Sequence, residues 1–196
     1  MDLKANTTLY YDTFAEDFAK STLPVDMSAL YQRFLPCIPP YGHILDAGCG
    51  SGRDAKYFQS IGHKISAFDA SSELALIASN YLNIDVDVLT FQTFNESDLY
   101  DGIWCCASLL HVPKVELMDA ISRLRKALKQ NGILYMSFKH GDEERVKKGR
   151  FFCDQTEQTV RQYLEGFEVK DMWVTGDQRE GRSSEQWLNI IVEKQE

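Results

Sequence analysis

Two carboxylates and three glycines carry the clearest chemical signal in this chain. Asp46 opens the run Asp46-Ala47-Gly48-Cys49-Gly50-Ser51-Gly52, and Asp69 follows 23 residues later within Ala67-Phe68-Asp69-Ala70-Ser71. Glycines at alternate positions let the backbone turn sharply and approach a ligand without Cβ atoms in the way, and the helix that follows offers free N–H groups. A carboxylate at the end of the next strand can accept two hydrogen bonds from a ribose diol. Together they describe a seat for a nucleotide-like cofactor.

The spacing separates cofactor classes. Counted from Gly48, a dinucleotide G-x-G-x-x-G pattern would need its last glycine at Arg53, but the third glycine falls one residue early, at Gly52. No G-x-x-x-x-G-K-[ST] run occurs, which argues against a phosphate-cradling P-loop.

Leu45-Asp46-Ala47-Gly48-Cys49-Gly50-Ser51-Gly52 resembles the first motif of the class I S-adenosylmethionine-dependent methyltransferases, and the resemblance runs from Tyr10 to about Val192. In size and organisation the chain is similar to the small-molecule and tellurite-resistance-type branches of that family. The resemblance implies S-adenosyl-L-methionine as cofactor, with Asp46, Gly48, Cys49, Gly50, Gly52 and Arg53 of the turn around its methionine part and Asp69 with Ala70 at its ribose. Gln92 stands where family members often carry an acid for the adenine amino group, a departure from the pattern. Cys106 and Ala107 border the transferable methyl group, and Tyr11 closes over the cofactor from the N-terminal side.

His111, in Ala107-Ser108-Leu109-Leu110-His111, is the candidate general base, because an imidazole titrates near neutrality; capping or packing under the next helix is the structural alternative. His140, Arg150, Arg179 and Arg182 are candidate acceptor-binding groups, since arginine forks hold carboxylates and phosphates at two points. Nearby acids such as Asp142, Glu143, Asp177 and Glu180 offer the simpler reading of a solvated, self-neutralised surface. The acceptor expected is a small molecule, anionic in character. Two other readings stay open: an RNA methyltransferase with Trp104, Trp173 or Trp187 as stacking surfaces, and a non-catalytic cofactor-binding regulator.

The elements that position these residues follow from periodicity. Two helices, 8–20 and 26–36, flank Pro24. Strands at 43–47, 64–69, 86–90, 101–106 and 132–138 alternate with helices at 53–60, 72–81 and 114–128, which implies a mostly parallel sheet with helices on both faces. Pro113 suits the start of the helix at 114, and Asn131-Gly132 suits a left-handed stop after it. A helix at 156–165 and a terminal hairpin, 167–175 with 186–193, complete the pattern. The fold expected is a Rossmann-like, doubly wound, seven-stranded sheet with an antiparallel last strand. Its parts are cap helices in 1–40, a cofactor-binding core in 41–139, and a substrate-side loop and hairpin in 140–196, together one methyltransferase domain. The length and charge of loop 139–151 suit a lid.

Composition sets outer limits. The chain has 196 residues, 44% hydrophobic and 26% charged, with a net charge of −8. Residues 1–100 hold 6 Lys and Arg against 13 Asp and Glu, whereas 101–196 hold 15 against 16, so the basic groups belong mainly to the second half. No window suits a membrane span, residues 1–7 do not read as a secretion signal, and a cytoplasmic location is expected. The five cysteines form no C-x-x-C pair, so neither zinc nor a disulfide framework is expected. None of these motifs encodes an oligomeric state.

Overall fold

A computed structural model describes residues 3–177 and 185–196. Helices α1 (Leu3–Thr13), α2 (Ala15–Thr22) and α3 (Ser28–Phe34) precede the sheet. The predicted helix 8–20 is thus two helices, broken at Phe14, which adopts a non-helical φ of −115° and ψ of 24°. Strand β1 (His43–Ala47), helix α4 (Arg53–Ser60), strand β2 (Lys64–Asp69), helix α5 (Ser72–Leu82), strand β3 (Asp87–Val88) and strand β4 (Tyr100–Cys105) then alternate. Helix α6 (Lys114–Ala127) and strand β5 (Leu128–Lys139) follow. A small hairpin, β6 (Glu144–Lys147) with β7 (Arg150–Cys153), precedes β8 (Phe167–Gly176) and β9 (Gln186–Lys194).

Seven strands form one sheet in the order β3-β2-β1-β4-β5-β9-β8. Neighbours from β3 to β5 are parallel, while β9 runs antiparallel to both β5 and β8. Alternate side chains project to opposite faces of a strand. Ile44, Trp104, Tyr135 and Ile191 accordingly pack with α3 and with Phe58 of α4, while Leu45, Ile103, Leu134, Met136 and Ile190 pack with α6. Both faces of the central strands are buried, as a parallel sheet requires. Strand order reverses between β1 and β4, which opens a crevice outside their carboxyl ends.

Three local expectations are corrected. Asn131-Gly132 does not stop α6, which ends at Ala127; Asn131, at φ 61°, lies inside β5, in an irregular stretch between the pairs Leu128↔Tyr100 and Ile133↔Gly102. Segment 156–165 is turns with a short 3-10 helix at Val160–Tyr163, in which Thr156 and Thr159 side chains compete with the backbone for its hydrogen bonds. Loop 139–151 is largely the β6–β7 hairpin, because Arg145-Val146 and Phe151-Phe152 pair across a turn with Lys148 and Gly149 at positive φ.

Candidate functional site

The crevice holds a cavity of about 700 Å³, lined from the carboxyl ends of β1, β2, β4 and β5 and roofed by α1, α2 and the β6–β7 hairpin. Its floor is the glycine turn. Gly48, Gly50 and Gly52 all have positive φ, and a Cβ on Gly48 would lie 2.5 Å from that of Ser108. Glycine is therefore required there by protein packing as well as by any ligand. Asp69 is buried at the end of β2, where Oδ2 accepts from the Gly50 amide at 2.8 Å and Oδ1 from the Ser71 amide at 2.9 Å. Burial raises its pKa, and those amides oppose the shift.

Asp46 accepts from the Ala55 amide at 3.1 Å, and its pKa is pushed well up, by burial first and by Asp54 second. Asp54, which the sequence reading passed over, is the polar centre of the floor. It accepts from the Tyr31 hydroxyl at 2.6 Å, from Trp104 Nε1 at 2.8 Å, and from Arg53 Nε and Nη2 at 2.6 and 2.9 Å. Those contacts hold its carboxyl below its ordinary value despite burial. Arg53 lines the cavity already engaged, and its place beside an acid in Arg53-Asp54 was the available signal.

At the end of β4, Ala107 takes φ 55°, an uncommon conformation for a residue with a Cβ, and donates its amide to Ser137 Oγ at 2.8 Å. Cys106 lies beside it, its thiol raised by burial to about 12, so it stays protonated. Ala70 and Gln92 also line the cavity, where the Gln92 amide donates to Glu116 at 2.8 Å. Cys49 packs against α5, with its thiol raised well above the usual range by burial.

The roof is stitched by contacts between residues far apart in sequence. His111 Nδ1 lies 2.6 Å from the Phe151 carbonyl, which only accepts, so Nδ1 carries the proton. Burial holds the His111 pKa down to about 4, leaving the ring neutral with Nε2 as an acceptor, and Tyr11 donates its hydroxyl to Nε2 at 2.9 Å. The Phe151 amide in turn donates to Thr7 Oγ1 of α1 at 2.9 Å. The expected base thus has both ring nitrogens engaged, and Tyr11 contacts His111 as well as facing the cavity.

The basic candidates separate clearly. His140 lines the cavity with Nε2 3.0 Å from Glu157. Arg150 lies under the roof against the rings of Tyr10, Tyr11 and Phe152, at 4.6, 5.8 and 5.3 Å from their centres. Arg179 and Arg182 lie outside the described residues. Trp104 is fully buried against Tyr135, with ring centres 3.8 Å apart, so it cannot be a stacking surface for RNA. Trp173 is faced by Arg33 and Trp187 by Lys139. Among the described residues no cluster of metal-ligating side chains occurs, and no helix is long and apolar enough to cross a membrane.

A sheet of this order with a glycine-floored cavity at its switch point defines a Rossmann-like, nucleotide-type binding fold. Residues 19–173 match the model of the methyltransferase domain family. The chain belongs to that family, and its fold is that of the class I S-adenosylmethionine-dependent methyltransferases. It is 30% identical over 141 residues to a malonyl-[acyl-carrier protein] O-methyltransferase of Buchnera aphidicola, covering 65% of this chain and 55% of that protein. The chain spans about half or less of the length of the curated relatives it matches. Its fold is similar to that of the Burkholderia thailandensis 1,6-didemethyltoxoflavin-N1-methyltransferase solved with that compound and S-adenosylhomocysteine (TM-score 0.78, 20% identity, 98% of this chain and 88% of that one). It is also similar to the Synechocystis magnesium protoporphyrin IX methyltransferase solved with bound S-adenosylmethionine (TM-score 0.75, 16% identity, 99% and 98%).

Proposed function

We propose that this chain binds S-adenosyl-L-methionine in the 700 Å³ cavity and transfers its methyl group to a small anionic acceptor. The observation that carries the reading is the buried Asp69 carboxylate beside the Gly48–Gly52 turn, at the switch point of the sheet. The donor set fits the cofactor: a carboxylate for a ribose diol, glycine backbone without side chains, and Leu89 and Phe91 as apolar walls for a flat base. When bound, S-adenosylmethionine supplies an activated methyl group on a sulfonium centre, so the protein's part is orientation and exclusion of water.

In this reading Asp69 and Ala70 meet the ribose, Gln92 the adenine edge, and Gly48, Cys49, Gly50, Gly52 and Arg53 the amino-acid end. Cys106 and Ala107 leave room at the methyl group because their side chains are small. Tyr11 and Phe18 close the roof, their rings 5.2 Å apart. Asp46 keeps the turn in place through the Ala55 amide. His111 is occupied by Tyr11 and Phe151, which suits an acceptor that is already ionised and needs no strong base. The name of the Buchnera relative, an O-methyltransferase of a malonyl group, supports an acidic acceptor. His140, Arg150, Arg179 and Arg182 are the proposed acceptor-side groups, and the organisation in one domain follows the same reading, with 1–40 as cap, 41–139 as core and 140–196 on the acceptor side.

Calorimetric titration with S-adenosylmethionine, S-adenosylhomocysteine and NAD tests the cofactor. Saturable binding of the first two alone is expected; binding of NAD alone, or of nothing, overturns the reading. An acceptor screen for methyl transfer then separates an enzyme from a cofactor-binding regulator, and transfer to RNA but to no small acid would replace the small-molecule acceptor.

A further inference from the structure

The cations around the cavity are not equivalent, and the difference names one of them. Arg53 is held by both oxygens of Asp54. Lys139 pairs with Glu185, lies 3.8 Å from Asp177, and faces the Trp187 ring. Arg145 is paired with Asp154, and Lys147 approaches Glu185 at 3.9 Å. His140 meets Glu157. Lys148 is exposed at the hairpin turn, where water solvates a free ammonium.

Arg150 differs from all of these. Its guanidinium is half-buried among Tyr10, Tyr11 and Phe152, and its polar contact is Nη1 donating to the Tyr11 hydroxyl at a long 3.5 Å. Its Nε is buried with no hydrogen-bond partner. A buried donor without a partner is costly, more so on a charged group, and a guanidinium beside aromatic faces is less hydrated than one in water. The two Nη atoms of a guanidinium form a two-point end that matches a planar carboxylate, and it is this end that Arg150 can offer to the cavity while its Nε stays buried.

Resting on the function proposed above, we infer that Arg150 is the specificity-determining residue of the acceptor site and anchors a carboxylate of the acceptor, beside a body flat or apolar enough to share its aromatic surroundings. Arg145 and Lys139 do not serve this purpose, because acidic side chains of the chain itself already occupy them, and His140, met by Glu157, lines the acceptor side without anchoring the carboxylate. The rings of Tyr10, Tyr11 and Phe152 exclude water from the ion pair and so strengthen it. Recognition by a two-point fork also separates a carboxylate from its neutral amide, which would leave the charge unmatched.

The test uses the full chain and needs no knowledge of the natural acceptor. S-adenosylhomocysteine is titrated first; failure of the wild-type chain to bind it removes the function proposed above and the acceptor site with it. With that ligand saturating, malonate, malonamide and inorganic phosphate are titrated in turn. Malonate is expected to bind and malonamide not. Arg150→Gln should weaken malonate about 10- to 100-fold, the range for a lost charge-assisted hydrogen bond. Arg150→Lys should recover part of that loss, Lys148→Met should stay within about twofold, and S-adenosylhomocysteine affinity should hold in all three. Malonate binding that is absent in the wild type, or unchanged by Arg150→Gln, overturns the inference. A parallel loss of S-adenosylhomocysteine binding in Arg150→Gln and Arg150→Lys assigns the residue to the cofactor instead, and phosphate binding tighter than malonate overturns the carboxylate assignment.

Discussion

The floor and the roof of the cavity are built on different principles. On the floor, Asp46, Asp54 and Asp69 receive their hydrogen bonds from backbone amides and from side chains packed within the sheet and its first helices. On the roof, Thr7, Tyr11, His111, Arg150 and Phe151 come from three distant parts of the chain and are joined by hydrogen bonds that cross between them, with Phe151 set in the apolar core of the sheet. The floor is fixed by neighbours within the sheet and its first helices, whereas the roof depends on contacts that close only when distant segments of the chain meet.

Removing the centre of the floor should have the largest effect. Asp54→Ala leaves Arg53 buried without its carboxylate and strips partners from Tyr31 and Trp104, so urea denaturation should show a loss of about 3–5 kcal/mol. A loss below about 1 kcal/mol would mean that the floor is no more tightly fixed than the roof.

Acid should loosen the roof selectively. The His111 pKa is about 4 in the folded chain against 6.5 for a free imidazole, so between these values the unfolded chain binds a proton that the folded one does not. Stability from this group is fully present above about pH 6.5 and falls as the pH drops toward 4, by about 3 kcal/mol in all. Unfolding free energies measured at pH 7, 5.5 and 4.5 should show this slope in the wild type and its reduction in His111→Gln. Equal slopes would dissolve the contrast.

The cofactor-facing edge of the floor is read by affinity. Asp69→Ala should weaken S-adenosylmethionine binding by about 1.5–3 kcal/mol in calorimetry. Unchanged affinity would take the ribose role from Asp69. The smallest effect belongs to Tyr11→Phe, which removes the hydrogen bond to His111 and the long contact from Arg150 and should cost about 0.5–1.5 kcal/mol of stability. Hydrogen exchange should then quicken at the Phe151 amide more than at the Ala55 amide; uniform change would show that roof and floor open together.

The difference between floor and roof also explains what could be read from the chain. Glycines at 48, 50 and 52, the acids at 46 and 69, and the strand–helix alternation are local patterns, and each reappears where expected. Asp54 was missed because its value depends on Trp104 and Tyr31, which are 50 and 23 residues away. The 156–165 segment went wrong because threonine side chains captured the backbone groups that a helix would have used.

What the sequence determined by itself was the sheet, its order of elements and the glycine-floored seat, because hydrophobic period and positive-φ turns act over a few residues. Tertiary structure alone decided the state of the site. It made His111 a neutral acceptor for Tyr11, gave Arg53 and Lys139 acidic partners, and left the Nε of Arg150 buried without one. Charge, hydration and proton affinity depend on which groups the fold brings within a few ångströms, and no local pattern encodes that.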